Sequence, residues 1–162
     1  MSKPALRLVT EQDVSVLLEM MDDFNRSEVI SWAPAVAEEA LRKLLREPEL
    51  GQAVVLEEGG RVQGYAVVTY GYDLEFAGRD AYLTEFYLRP EARGRGLGKW
   101  LLTRVEERAR DAGVQALHLM VRPENRPALT LYQRAGFEPP PRVFLTKRLL
   151  QEPGPLNPPT SP

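Results

Sequence analysis

AYLTEFYLRPEARGRGLGKWLL, residues 81–102, sets a strand-like run ahead of three glycines, three arginines and the start of an apolar helical pattern. AYLTEFYL carries large side chains on both faces, as a central strand covered on two sides would. From about Gly96 to Ala112, Leu97, Leu101, Val105 and Ala109 recur at helical spacing, with Leu102 and Ala112 beside them and Gly113 as a stop. Between strand and helix lies the turn. The first amides of a helix lack intrahelical acceptors, and the macrodipole adds partial positive charge there. Glycines at 94, 96 and 98 leave those amides unshielded by Cβ atoms, and Arg93, Arg95 and Lys99 add full charges around the same point. A merely polar turn needs one glycine for its bend. Three alternating ones exceed that need and cost conformational entropy. The segment reads as a seat for a phosphate or pyrophosphate. Its spacing is not that of a Walker loop, because Gly98-Lys99-Trp100 lacks the magnesium-binding hydroxyl. Nor does it match the Gly-x-Gly-x-x-Gly of a dinucleotide fold.

Outward from this unit the pattern is regular. Upstream, Ala5–Val9 reads as a strand, and Thr10 with Asp13 marks a helix start before Val14, Leu17, Leu18 and Met21. A second helix follows Pro34. Gln52–Leu56 and Val62–Tyr72 read as strands around the hairpin Glu58-Gly59-Gly60-Arg61, and residues 76–80 as the next turn. Downstream, Gln115–Val121 is a strand, Asn125–Ala135 a short helix and Arg142–Leu149 a last strand. Strands that run mostly antiparallel and then change to strand–helix–strand predict a mixed α/β fold, a mostly antiparallel sheet flanked by helices. Residues 1–150 are expected to form a single domain. Residues 151–162 hold five prolines and are expected to be a disordered tail.

Composition excludes several chemistries. The chain has 162 residues, a net charge of −2, no cysteine and one histidine, His118. A nucleic-acid binder normally carries a basic surplus. Without cysteine there is no disulfide, thiolate metal site or cysteine nucleophile, and one histidine argues against a metal centre. MSKPALRLVTEQD has no apolar run of signal-peptide length, and no stretch approaches a membrane span. The expectation is a cytoplasmic protein without metal, nucleic-acid or membrane partners.

The strand, the Arg93-x-x-Gly96-x-Gly98 turn, the long helix, the strand ALHLMV and then Asn125-x-x-Ala128-x-x-x-Tyr132-x-x-x-Gly136-Phe137 together resemble the GNAT superfamily of acyl-CoA-dependent N-acyltransferases. The resemblance spans roughly residues 81–149, and FLTKRLL at 144–150 is similar to the family's usual final strand. It implies that acetyl-CoA is the acyl donor, with its pyrophosphate held by Arg93, Gly94, Arg95, Gly96, Leu97, Gly98 and Lys99. Backbone groups of Phe86, Tyr87 and Leu88 would pair with the pantetheine arm, and Asn125 would touch the cofactor. Many family members pair, so a homodimer fits the resemblance.

Seven further residues have two readings each. Tyr132 is a core aromatic or, as its family equivalent commonly is, the group that meets the leaving sulfur. Glu85, mid-strand, is a buried structural carboxylate or a general base acting directly or through water, since an amine of pKa about 10 must lose a proton before it attacks. Asn125 caps its helix in either case. Asp22, Asp23 and Glu28 are a solvated loop or an acidic lip for a cationic acceptor, and His118 reads chiefly as a strand residue of core or cleft. The function implied is direct transfer of an acetyl group to a primary amine of a small molecule or peptide. A non-catalytic acyl-CoA sensor is the alternative, and a nucleotide-binding module leaves the Asn125–Phe137 motif unexplained.

Overall fold

The computed structural model describes residues 2–149. Its sheet has five strands in sequence order: β1 (Ala5–Leu8), β2 (Gly51–Glu58), β3 (Arg61–Asp73), β4 (Gly78–Leu88) and β5 (Ala116–Leu119). The first three junctions are antiparallel, and β4 pairs with β5 in parallel. Four helices accompany the sheet: α1 (Val14–Ser27), α2 (Pro34–Arg46), α3 (Leu97–Asp111) and α4 (Arg126–Arg134). The mixed, mostly antiparallel α/β architecture is the one expected, and α3 is the crossover of its parallel unit. Among the described residues no helix is long and apolar enough to cross a membrane.

Alternation along the strands builds two cores. Ala53, Val55, Tyr65, Val67 and Tyr87 face α1 and α2, where Leu17, Met20, Met21 and Leu41 cover them. Val54, Leu56, Ala66, Val68 and Leu83 face the other way, under Leu97, Leu101, Leu102 and Val105 of α3.

The start of α1 is fixed from both sides. The Asp13 carboxylate accepts from the Thr10 backbone N–H at 2.8 Å and from two nitrogens of Arg7 at 2.7 and 2.8 Å. Those hydrogen bonds, first among them the one from Arg7, pull the Asp13 pKa down to about 2 from an ordinary 3.8. A carboxyl depressed in the folded state stabilises the fold above its unfolded pKa, and that stability is lost as pH falls through the folded value. Asp13→Asn is therefore expected to cost on the order of 2 kcal/mol at pH 7. Urea unfolding should find that the penalty shrinks between pH 4 and pH 2.

The decisive irregularity lies in β4. Val68 opposes Leu83 and Val67 opposes Glu85, so Thr84 is an extra residue, a β-bulge. The β4–β5 pairing ends at the same level, with Leu83 opposite Leu119. Beyond it, the edge of β4 from Thr84 to Leu88 has no strand beside it among the described residues.

Two expectations are corrected. The β3–β4 turn occupies Leu74–Ala77, with Ala77 taking the left-handed position (φ 56°), and Gly78 already belongs to β4. Arg142–Leu149 is not a strand of this sheet; the chain is irregular after α4. Just before it Pro139, Pro140 and Pro141 have fixed φ and no N–H to give to a sheet, so any pairing could begin only after them. The proline-rich tail of 151–162 lies outside the described residues.

Candidate functional site

A groove of about 580 Å³ opens where β4 leaves β5. Thr84, Phe86, Tyr87 and Leu88 of β4 form one wall and Met120 to Arg122, just past β5, another. Glu28 at the end of α1, Gly98 of α3, and Asn125 and Tyr132 of α4 also line it. The bulge thus brings together the strand, the glycine turn and the Asn125–Tyr132 motif that the sequence sets far apart.

The turn is built as an amide-rich cradle. Gly94 and Gly96 take φ of 70° and 79°, a left-handed region that side chains disfavour, and Gly96 is the N-cap of α3. A Cβ placed on either would meet nothing within 4 Å, so the space in front of these amides is open. The N–H of Trp100 reaches back to Gly96, which leaves the amides of Leu97, Gly98 and Lys99 as the free first turn. The Leu97 side chain is buried in the core, so its amide is the group it can offer.

The cations have different roles. Arg95 is held by Glu58 at 2.8 and 3.0 Å through one nitrogen, so much of its charge is already answered. Arg93 donates its Nε to the Leu88 carbonyl at 2.9 Å and lies over the Tyr87 ring at 5.4 Å. This fixes the guanidinium beside the groove it lines. Lys99 is exposed.

Tyr132 is buried, with Phe86 and Phe137 edge-on to its ring at 6.1 and 5.8 Å. Burial, with the Glu28 charge second, pushes its phenol above the usual tyrosine range, so it is held protonated at neutral pH. Asn125 caps α4 through its carbonyl oxygen, which accepts from Ala128 N–H at 3.3 Å, while its amide donates to Glu28 at 3.4 Å.

Glu85 points to the α1/α2 side, and the Tyr65 hydroxyl donates to its Oε2 at 2.6 Å. Burial raises its pKa, and the Tyr65 hydrogen bond opposes the rise in part. It is not among the groove-lining residues, so any proton it takes from an acceptor must travel through an intermediary. Tyr65 was not singled out from sequence; only the register places it against a residue twenty positions away.

The acidic residues of the α1–α2 region separate. Asp23 accepts from the Tyr87 hydroxyl at 3.2 Å and Glu28 faces the groove. Asp22 instead accepts from the Trp32 indole at 3.0 Å and pairs with Arg26, and it does not line the groove. His118 lies outside the groove as well, near Asp80 (3.5 Å) and between the Phe76 and Tyr82 rings.

Comparison with known proteins bears on the family and the fold. Thialysine N-epsilon-acetyltransferase of Bos taurus is 32% identical over 143 residues, covering 81% of this chain and 82% of that protein. An integron cassette protein from the Cole Harbour Salt Marsh metagenome superposes with a TM-score of 0.80 at 33% identity, covering 91% of each chain. An aminoglycoside N-acetyltransferase solved with CoA shares the fold, with a TM-score of 0.74 at 18% identity over 91% of this chain and 96% of that one. The family model described as "Acetyltransferase (GNAT) family" matches residues 17–137, most of the chain and every element that borders the groove, and the chain belongs to that family.

Proposed function

We propose that this enzyme moves an acetyl group from acetyl-CoA directly to a primary amine of a small molecule or peptide. The observation that carries the reading is the convergence, on one groove, of the β4 edge freed at Thr84, the open N-terminus of α3 and the Tyr132 hydroxyl-bearing ring. Acetyl-CoA would supply an activated acyl group as a thioester.

The chain's residues fit that donor. Amides from Gly94 to Lys99 would hold the pyrophosphate, with the charges of Arg93 and Lys99 close by. Arg95, already paired with Glu58, would contribute less. Backbone groups of Phe86, Tyr87 and Leu88 would align the pantetheine arm as an added strand does, although the Leu88 carbonyl already accepts from Arg93. Asn125 would keep α4 in place through its cap while bordering the donor. With no cysteine in the chain and nothing else in the sequence marking a nucleophile, transfer would be direct.

Glu85 would take up the amine's proton through a water, its raised pKa bringing it closer to the range of a working base. Tyr132 would donate a hydrogen bond to the departing sulfur. On the acceptor side, Glu28 and Glu124 line the groove and Asp23 stands behind Tyr87, which favours an amine bearing a second positive charge. A relative named for thialysine, itself a diamino acid, is consistent with that preference.

Thiol release should be measured with thialysine, lysine, short diamines and peptides as acceptors. Cationic small amines are expected to give the highest kcat/KM. Saturable acetyl-CoA binding with no thiol released by any amine would favour the sensor reading instead. At the donor seat, Gly96→Val should weaken coenzyme A binding at least tenfold in a calorimetric titration, since it combines a disfavoured φ with a side chain over the amides. Undiminished affinity would remove the turn from the binding site.

A further inference from the structure

A second groove, of about 400 Å³, lies at the far end of α3 from the glycine turn, where the end of β1 and the last turns of α2 and α3 meet the start of β2. From Gly98 to Arg108 the helical rise alone is about 15 Å, and no residue lines both grooves. Leu8, Leu44 and Leu45 give this groove an apolar side, and Leu8 is 49% exposed.

Its other side is a polar chain whose direction is forced. Arg108 donates its Nε to the Gln52 side-chain oxygen at 2.7 Å, and the Gln52 amide donates to the Tyr70 hydroxyl at 2.7 Å. A guanidinium has donors only, so the oxygen of Gln52 must face Arg108 and its NH2 must face Tyr70. The Tyr70 oxygen therefore accepts, and its own hydrogen is left for another acceptor. Among the described residues it finds none, and the two terminal nitrogens of Arg108 find none either. Arg79, over the Tyr70 ring at 4.6 Å, adds positive charge behind it. Three donors on two groove-lining side chains are what a carboxylate accepts.

The rim beyond has the opposite character. Asp111, three residues on from Arg108, lines the groove and pairs with no cation among the described residues. It stands at the C-terminus of α3, where the macrodipole favours positive charge, and the last turn of α2 ends at the same groove.

We infer that this groove is a second small-molecule site, which holds an α-amino acid with an aliphatic side chain. Its carboxylate lies on Arg108 and the Tyr70 hydroxyl, its ammonium at Asp111 and its side chain against Leu8, Leu44 and Leu45. A carboxylate alone leaves Asp111 unanswered, and an amine alone leaves Arg108 and Tyr70 so. The site does not depend on what the groove at β4 binds.

Calorimetric titration of the full chain with leucine tests this, with isocaproate, which lacks the amine, and isoamylamine, which lacks the carboxylate, as controls. Leucine should bind saturably, and each control at least tenfold more weakly. Tyr70→Phe and Arg108→Gln should each weaken leucine about tenfold or more, with circular dichroism and coenzyme A affinity retained. Saturating coenzyme A should leave the leucine affinity unchanged. Tyr70→Phe decides the matter if Arg108→Gln disturbs the fold, because it removes one O–H and keeps the ring under Arg79. No saturable leucine binding overturns the inference, as does a control that binds as tightly as leucine. So does an affinity that Tyr70→Phe leaves unmoved, or leucine displaced by coenzyme A.

Discussion

Tyr132→Phe should lower kcat about 100-fold, the usual cost of losing one well-placed donor to developing negative charge. Acetyl-CoA affinity should change by less than threefold. The reason lies in the environment of the ring. Phe86 and Phe137 hold it edge-on, and that packing does not involve the hydroxyl, so phenylalanine keeps the fold and removes one O–H. The chemistry also limits what the hydroxyl would do in the proposed reaction. Its pKa is raised by burial, whereas a thiol ionises near about 8.5. Full proton transfer from Tyr132 to the thiolate therefore runs uphill. In the proposed reaction the phenol would stabilise the departing sulfur as a hydrogen-bond donor, and solvent or the released amine proton would complete the protonation. Steady-state kinetics with a calorimetric titration of coenzyme A separates the two effects. Unchanged kcat would take Tyr132 out of the reaction and leave it a core aromatic.

Glu85→Gln is expected to show opposite effects on rate and stability. Without the carboxylate, kcat/KM should fall about 100-fold, within the range ascribed to one general base. The wild-type acid limb should lie above the ordinary glutamate range and disappear in the variant, leaving only the limb of the acceptor amine. Stability should move the other way. A carboxyl whose folded pKa is raised stabilises the fold below its unfolded pKa, and this contribution is lost as pH rises through the folded value. As pH rises above the unfolded value the buried Glu85 becomes a cost, and glutamine, still able to accept from Tyr65, should raise Tm at pH 7–8 while leaving it nearly unchanged near pH 4. A variant with lower Tm and normal rate would make Glu85 a structural group.

The proposed donor side is legible in the sequence because its parts are local. The glycine turn, the long helix and the Asn125 cap each depend on residues within a few positions; of these segments Arg93, Gly98, Asn125 and Tyr132 line one groove. What the sequence left hidden depends on register between distant segments. The bulge at Thr84 exists only relative to Val67 and Val68, and nothing in AYLTEFYL marks it. Tyr65 of β3 meets Glu85 of β4, and Glu58 of β2 meets Arg95 in the turn before α3, through contacts that no local pattern encodes. Asp22 and Asp23 are adjacent, yet one anchors Trp32 and the other receives Tyr87, because successive helix residues face different ways. RVFLTKRL has strand composition, yet it forms no strand, because composition alone does not supply a partner edge.

The central claim is direct acetyl transfer to an amine at the groove where β4 parts from β5. A single assay tests it: time-resolved thiol release from acetyl-CoA with mass analysis of both the amine and the protein. The account predicts that thiol and acetylated amine appear in equal amounts, that neither forms without amine, and that no acetyl group is found on the protein during turnover. Thiol release that acetylates the protein before the amine, or no release with any amine, would contradict it.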